Sequence, residues 1–219
     1  MKNVILSGVV ALASTLLSSH LGQAQSSTRY LSSLSQTYTG VEAVGSDSWL
    51  AERFSTGSNP GGYTLDSIQL GMGDASGNPA GFAVMVYTNS GSAQGVFPGG
   101  SLGSLAGVAS PSTAGVYSYT PPGNLTLSPG TYYFVVLTAG TAIADGAYNW
   151  GLSAYPPSSS EGWAERNGAF RSSNGISGWS SVVPYQGIGQ LAIYATPIPE
   201  PGVLGLVVLG GLLLVRHRR

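Results

Sequence analysis

Cysteine is absent from the 219 residues, which rules out disulfide staples and leaves hydrophobic burial to supply stability. Lysine occurs once, as Lys2, and histidine twice, as His20 and His217, so the stretch from 25 to 196 contains none of the three. Without an imidazole or an amine in that stretch, neither a Ser-His-Asp nor a Cys-His nucleophile can be assembled, and a Schiff-base lysine is excluded. Zinc and redox-active metals lose their usual nitrogen and sulfur ligands, so only all-oxygen sites of the calcium type remain open. No metal or organic cofactor is expected, and the composition points to a non-catalytic protein.

Charge is scarce as well. Asp, Glu, Lys and Arg make up 8% of the chain, against roughly 25% in an average globular domain. Between 25 and 196 eight carboxylates (Glu42, Asp47, Glu52, Asp66, Asp74, Asp145, Glu161, Glu165) face four arginines (Arg29, Arg53, Arg166, Arg171), a net charge of −4. No basic patch exists to neutralise phosphates, so nucleic acid is not an expected partner. Solubility falls to Ser, Thr, Asn and Gly, a neutral hydroxyl-rich surface suited to a polysaccharide matrix.

What is present is a period-two pattern broken by turn residues, with no stretch of helical amphipathicity. Ile68, Leu70 and Met72 alternate with Ser67, Gln69 and Gly71 in a strand from Tyr63 to Met72. Further strands are expected over Trp49 to Ser55, Phe82 to Tyr87, Val116 to Thr120, Tyr148 to Ser153, Trp163 to Phe170 and Gln190 to Ala195. Thr131 to Thr138 is apolar on both faces and should be central. Clusters such as Gly77-Asn78-Pro79, Pro121-Pro122-Gly123-Asn124 and Ser128-Pro129-Gly130 supply the turns, with Pro129-Gly130 suited to the centre of a type II turn. Eight or nine strands at such spacing predict an all-β, two-sheet antiparallel sandwich, jelly-roll-like in topology. The segment 25–48 reads as a polar, strand-poor lead-in to a sandwich over 49–196, about 170 residues being enough for one core.

Both ends read as address labels. Lys2 precedes an apolar stretch from Val4 to Leu17, and Gly22 and Ala24 occupy small-residue positions, which is a secretory signal peptide (1–24) cleaved by signal peptidase after Ala24. At the other end Pro199, Glu200 and Pro201 are followed by an apolar run over 202–215 and then by Arg216, His217, Arg218 and Arg219. The prolines stop any helix or strand from running through. The run of about 14 residues makes roughly 21 Å of helix against roughly 30 Å of hydrocarbon, marginal as a permanent anchor. Arg216, Arg218 and Arg219 form the basic stop that stays cytoplasmic. An ordinary C-terminal anchor with a chance proline pair is the plainer alternative.

This tail (197–219) resembles the PEP-CTERM sorting signal of Gram-negative bacteria. The resemblance implies recognition by an exosortase-type membrane transpeptidase near Pro199 to Pro201, passage through the membrane by way of the C-terminal helix, and delivery to the cell surface or extracellular matrix, with exopolysaccharide as a further partner in biofilm or floc formation. Before processing, the protein would be anchored in the inner membrane. The runs Trp49-Leu50-Ala51-Glu52-Arg53-Phe54-Ser55-Thr56-Gly57, Gly62-Tyr63-Thr64-Leu65-Asp66-Ser67-Ile68 and Leu125 to Val136, with the pairs Gly162-Trp163 and Gly178-Trp179, are similar to the choice-of-anchor R domain. That likeness implies a sandwich and a surface address and brings no catalytic residue.

Smaller features carry weaker expectations. Trp150, Tyr155, Trp163 and Trp179 are the candidates for stacking on sugar rings in a lectin-like alternative, although aromatics of this size more often fill a core. Asp74, Ser76 and Asn78 alternate in what reads as a hairpin loop with oxygens for calcium, a plain hairpin being favoured. Glu161 and Glu165, with Asp145, are the pair a glycosidase would need, solvated turn carboxylates being the simpler reading. Asn124-Leu125-Thr126 matches a glycosylation sequon by accident.

Overall fold

The computed structural model describes residues 26–91, 96–182 and 187–200, without the side chains of 166–168. Among the described residues the chain is all β and forms two antiparallel sheets. The first takes the order β13-β12-β3-β9-β5-β6, from β3 (Trp49–Ser55), β5 (Ala83–Asn89), β6 (Pro98–Leu105), β9 (Tyr132–Thr138), β12 (Ala164–Ser172) and β13 (Ser180–Ser181). The second runs β11-β1-β15-β4-β10-β14, from β1 (Thr28–Ser32), β4 (Tyr63–Gly77), β10 (Gly146–Ser153), β11 (Ser158–Ser159), β14 (Ile188–Gly189) and β15 (Leu191–Pro197). Off that path β2 (Tyr38–Val44) pairs with β10, while β7 (Gly115–Tyr119) and β8 (Thr126–Leu127) pair with β4.

Alternation along β9 explains why this strand is central. Tyr133, Val135 and Leu137 face the core shared with the second sheet, and Phe134 and Val136 face a separate cluster on the outer side with Ala51, Met85, Tyr87 and Phe170. Trp49, Val96, Phe97 and Trp179 pack over that outer cluster, so both faces of β9 are dry and its sequence is continuously apolar. Arg53 lies 5.5 Å from the centre of the Tyr132 ring and 6.0 Å from that of Phe170, its guanidinium attracted to both π faces.

The shared core is rich in rings. Trp163 stacks on Tyr30 at 4.7 Å and 12°, meets Tyr63 edge-on at 4.9 Å, and lies parallel to Phe54 at 6.0 Å. These rings come from β1, β3, β4 and the turn before β12, so one indole joins both sheets. Phe82 and Tyr148 make a second edge contact at 5.1 Å toward the other end of the core. Such pairs add about 0.5–1.5 kcal/mol each beyond the area they bury.

Three expectations from the sequence are corrected here. The segment 25–48 is not a strand-poor lead-in: β1 pairs with β15, and β2 pairs along β10 from Tyr148 to Ser153. A register shift between Arg29 and Leu31 puts Tyr30 and Leu31 both into the core and hides the alternation. The stretch of β4 beyond Met72 continues as strand to Gly77, so Asp74 and Ser76 are not loop ligands. Asp74 Oδ1 accepts from the Ala114 amide at 2.8 Å, and Ser76 Oγ donates to the Ala147 carbonyl at 3.5 Å. The third is the set of expected strands, which lacks β6, a Gly- and Ser-rich edge strand with no alternating signature. By contrast Gly130 adopts φ of 57°, the left-handed sense that the Pro129-Gly130 turn requires.

Replacing Trp163 by Ala removes the ring on which three others pack. We expect a loss of about 3–5 kcal/mol, read as a lowered midpoint in urea or heat denaturation.

Candidate functional site

The chain leaves the domain at a pinned exit. β15 pairs with β4 down to the Pro197–Tyr63 pair, and the Ile198 amide then donates to the Gly62 carbonyl at 2.9 Å. Asn59 Nδ2 donates to the carbonyls of Ile198 at 3.0 Å and Gly62 at 2.6 Å, closing a clamp on the strand. Gly61 is needed there because a Cβ would come within 2.3 Å of the Ile198 oxygen. Immediately beyond it Pro199 and Glu200 are exposed. Pro201, the apolar run 202–215, the stop Arg216, Arg218 and Arg219, and the cleavage position Ala24 with its leader lie outside the described residues. Among the described residues no helix is long and apolar enough to cross a membrane.

The aromatic candidates are largely core. Trp150 and Trp163 are each 2% exposed, which places them in the core and removes both from the sugar-stacking alternative. The Trp150 indole N–H donates to the Gln190 carbonyl at 3.0 Å, which gives a buried polar edge its partner. Trp179 is half-buried, its ring set against the outer cluster of the first sheet. The strongly exposed tyrosines are Tyr38 at 54% and Tyr155 at 60%.

Two shallow grooves open on the surface of the described residues, one of them of about 210 Å³ beside Arg29 and Ser158 to Ser160. The other, of about 220 Å³, is lined by Ser55, Thr56, Gly57, Gly130, Tyr132 and Gly162. The Ser55 and Thr56 hydroxyls already donate to the carbonyls of Ala164 and Ser128, at 3.4 and 2.6 Å.

The carboxylates of the glycosidase alternative lie in separate surroundings. Glu161 is exposed on a turn with φ of 51°, beside Tyr30. Burial, then the charges of Glu161 and Tyr63, push the Tyr30 hydroxyl up to about 12. Asp145 closes a separate turn through its amide to Ala142, and Glu165 turns instead toward Glu52. Among the described residues no group of three His, Cys, Asp or Glu side chains could hold a metal ion.

Glu52 is what sequence reasoning missed. It is 1% exposed, on the inward face of β3 between the core residues Leu50 and Phe54. Its Oε2 accepts from the Gly189 amide of the opposite sheet at 3.4 Å, and its Oε1 has no hydrogen-bond donor in reach. A cavity of about 20 Å³, room for one water, is lined by Glu42, Glu52, Trp150, Phe170 and Gly189. Burial first, then the adjoining Glu165 carboxyl by charge and hydrogen bond, push Glu52 well above the usual carboxylate range, against the Gly189 amide and Arg53. Nearby Arg171 of β12 pairs with Glu42 of β2, a second polar tie between the sheets. The signal was legible: period two over Leu50, Glu52 and Phe54 places the carboxyl inward.

No family model, curated protein or solved structure matches the chain.

Asn59→Ala leaves the Ile198 carbonyl without its side-chain donor. The expected result is a loss of about 1 kcal/mol and faster limited proteolysis between Pro197 and Glu200, measured by mass spectrometry of the fragments.

Proposed function

We propose that this chain is an exported, non-catalytic surface or matrix protein whose tail over 197–219 is read and removed by an exosortase-type transpeptidase. The observation that carries the reading is the placement of Pro199 and Glu200: exposed, one residue beyond a clamped strand end, where an enzyme in the membrane plane reaches them without unfolding the sandwich. The leader over 1–24 and the apolar run over 202–215, both helical in this reading, bring the domain across the inner membrane and hold it until the tail is cut. The lack of His, Lys and Cys between 25 and 196 supports a scaffold rather than an enzyme. In finer topology we infer a jelly-roll-like sandwich of the choice-of-anchor R type. Its support is the chain's repeated passage between sheets, at β2–β3, β3–β4, β4–β5, β6–β7, β8–β9, β9–β10, β11–β12 and β13–β14. The matrix role, with exopolysaccharide as a partner, rests on the tail's resemblance.

A lectin-like role keeps a specific support only in the exposed rings of Tyr38 and Tyr155. Saturable binding to the producer's own polysaccharide, lost in Tyr155→Ala or Tyr38→Ala with the fold intact, would favour it over a passive scaffold.

The sorting reading is tested by the intact mass of protein recovered from the producing cells. A C-terminus near Pro199 to Pro201 is expected, and Glu200→Ala should retain Arg219 and remain in the inner-membrane fraction. A wild-type mass that includes Arg219 overturns the reading.

A further inference from the structure

We propose that Glu52 and Glu165 share a single proton between the sheets, so that the contact from β3 to β14 is held while that proton is bound and loosens as pH rises past the ordinary carboxylate range. The proposal stands independently of the sorting reading, because it concerns only the interior of the sandwich.

The geometry leaves few alternatives. Glu52 is buried on an otherwise apolar face, and its Oε1 meets no N–H or O–H donor. The Oε1 of Glu165 is buried as well, and in the β3–β12 register Glu165 stands opposite Phe54, the next inward residue after Glu52. Ionising Glu52 costs its desolvation and, beside the Glu165 carboxyl, repulsion as well, so the pair keeps a proton where separate carboxyls would lose theirs. A proton on one of them makes that oxygen a donor to its neighbour, which satisfies the orphaned atom and leaves one negative charge on the pair.

The surroundings fit one such charge. Arg53, next along β3, and the Gly189 amide of β14 both favour a carboxylate. Glu42 of β2 lines the same cavity, but its charge is met by Arg171 of β12. The cavity admits one water and no larger ion shell.

The sign of the pH dependence follows. In the unfolded chain both carboxyls are ionised above their ordinary value of 4.5. The folded pair still holds one proton there, so the native state binds more protons than the unfolded one, and stability falls as pH rises. The contribution is fully present below the ordinary value and is lost as pH climbs through the raised one. Most paired carboxylates behave in the opposite sense.

The test uses the full chain, as wild type, Glu52→Gln and Glu165→Gln, with melting temperature followed from about pH 5 to about pH 9. Wild type should melt lower as pH rises. Each glutamine supplies an amide donor to the remaining carboxylate, so both variants should give a flatter profile and melt above wild type at the alkaline end. If Glu165→Gln keeps the wild-type slope, burial of Glu52 alone sets the behaviour and the shared proton is refuted. Should either variant fail to fold, infrared spectroscopy of the wild type decides. The carbonyl stretch of a neutral carboxyl is expected to persist above the pH at which free carboxyls ionise and to disappear reversibly as pH rises further, and its absence there overturns the proposal.

Discussion

The structure depends on burying rings and branched side chains between two sheets that nothing else joins covalently. With no cysteine to cross-link them, the sheets are held by contacts such as the stack of Trp163 on Tyr30 and its edge contact with Tyr63. Such a core explains why the aromatics are spent inside rather than on the surface. Trp150 and Trp163 cannot both hold the domain together and lie flat against a sugar. The same demand accounts for the outer cluster on the first sheet, where Trp49 and Trp179 help to cover Phe134 and Phe170 instead of leaving that face to water.

Within this apolar interior the few polar ties do specific jobs. The Trp150 indole and the amide of Gly71 both donate to the Gln190 carbonyl, at the point where β4 changes neighbour from β15 to β10. The Gln190 amide in turn donates to the Gly151 carbonyl at 2.7 Å, so this residue pairs with both neighbouring strands. Glu52 and the Glu42–Arg171 pair tie the sheets together at the same end of the core. A charge placed so deep is tolerable only if it is neutralised or shared. Elsewhere the Asn59 clamp holds the chain at Ile198, just before the exposed prolyl-glutamyl pair.

Much of the architecture was legible in the residues. Strands with clean alternation, β3 and β4 among them, and the doubly apolar β9 appear where their pattern places them, because burial of one or both faces imposes that pattern. The ones that escaped had physical reasons to do so. In β1 a bulge puts two successive residues into the core, and β6 is an edge strand whose exposed glycines and serines bury almost nothing. The end of β4 looks like a loop because its acidic and hydroxyl groups are satisfied by neighbours distant in sequence, Ala114 and Ala147. Glu52 was visible as an inward position but carries no motif, since a buried acid gains meaning only from what surrounds it.

The residues alone determined the all-β class, the poverty of catalytic groups and the apolar runs near both ends, because composition and local periodicity act without reference to distant neighbours. Tertiary structure decided which tryptophans are hidden, that Glu165 meets Glu52 rather than Glu161, and that the chain is clamped at Ile198 before its exposed prolines. Burial and pairing between residues more than a hundred positions apart depend on how the sheets are stacked, and no local pattern encodes that stacking.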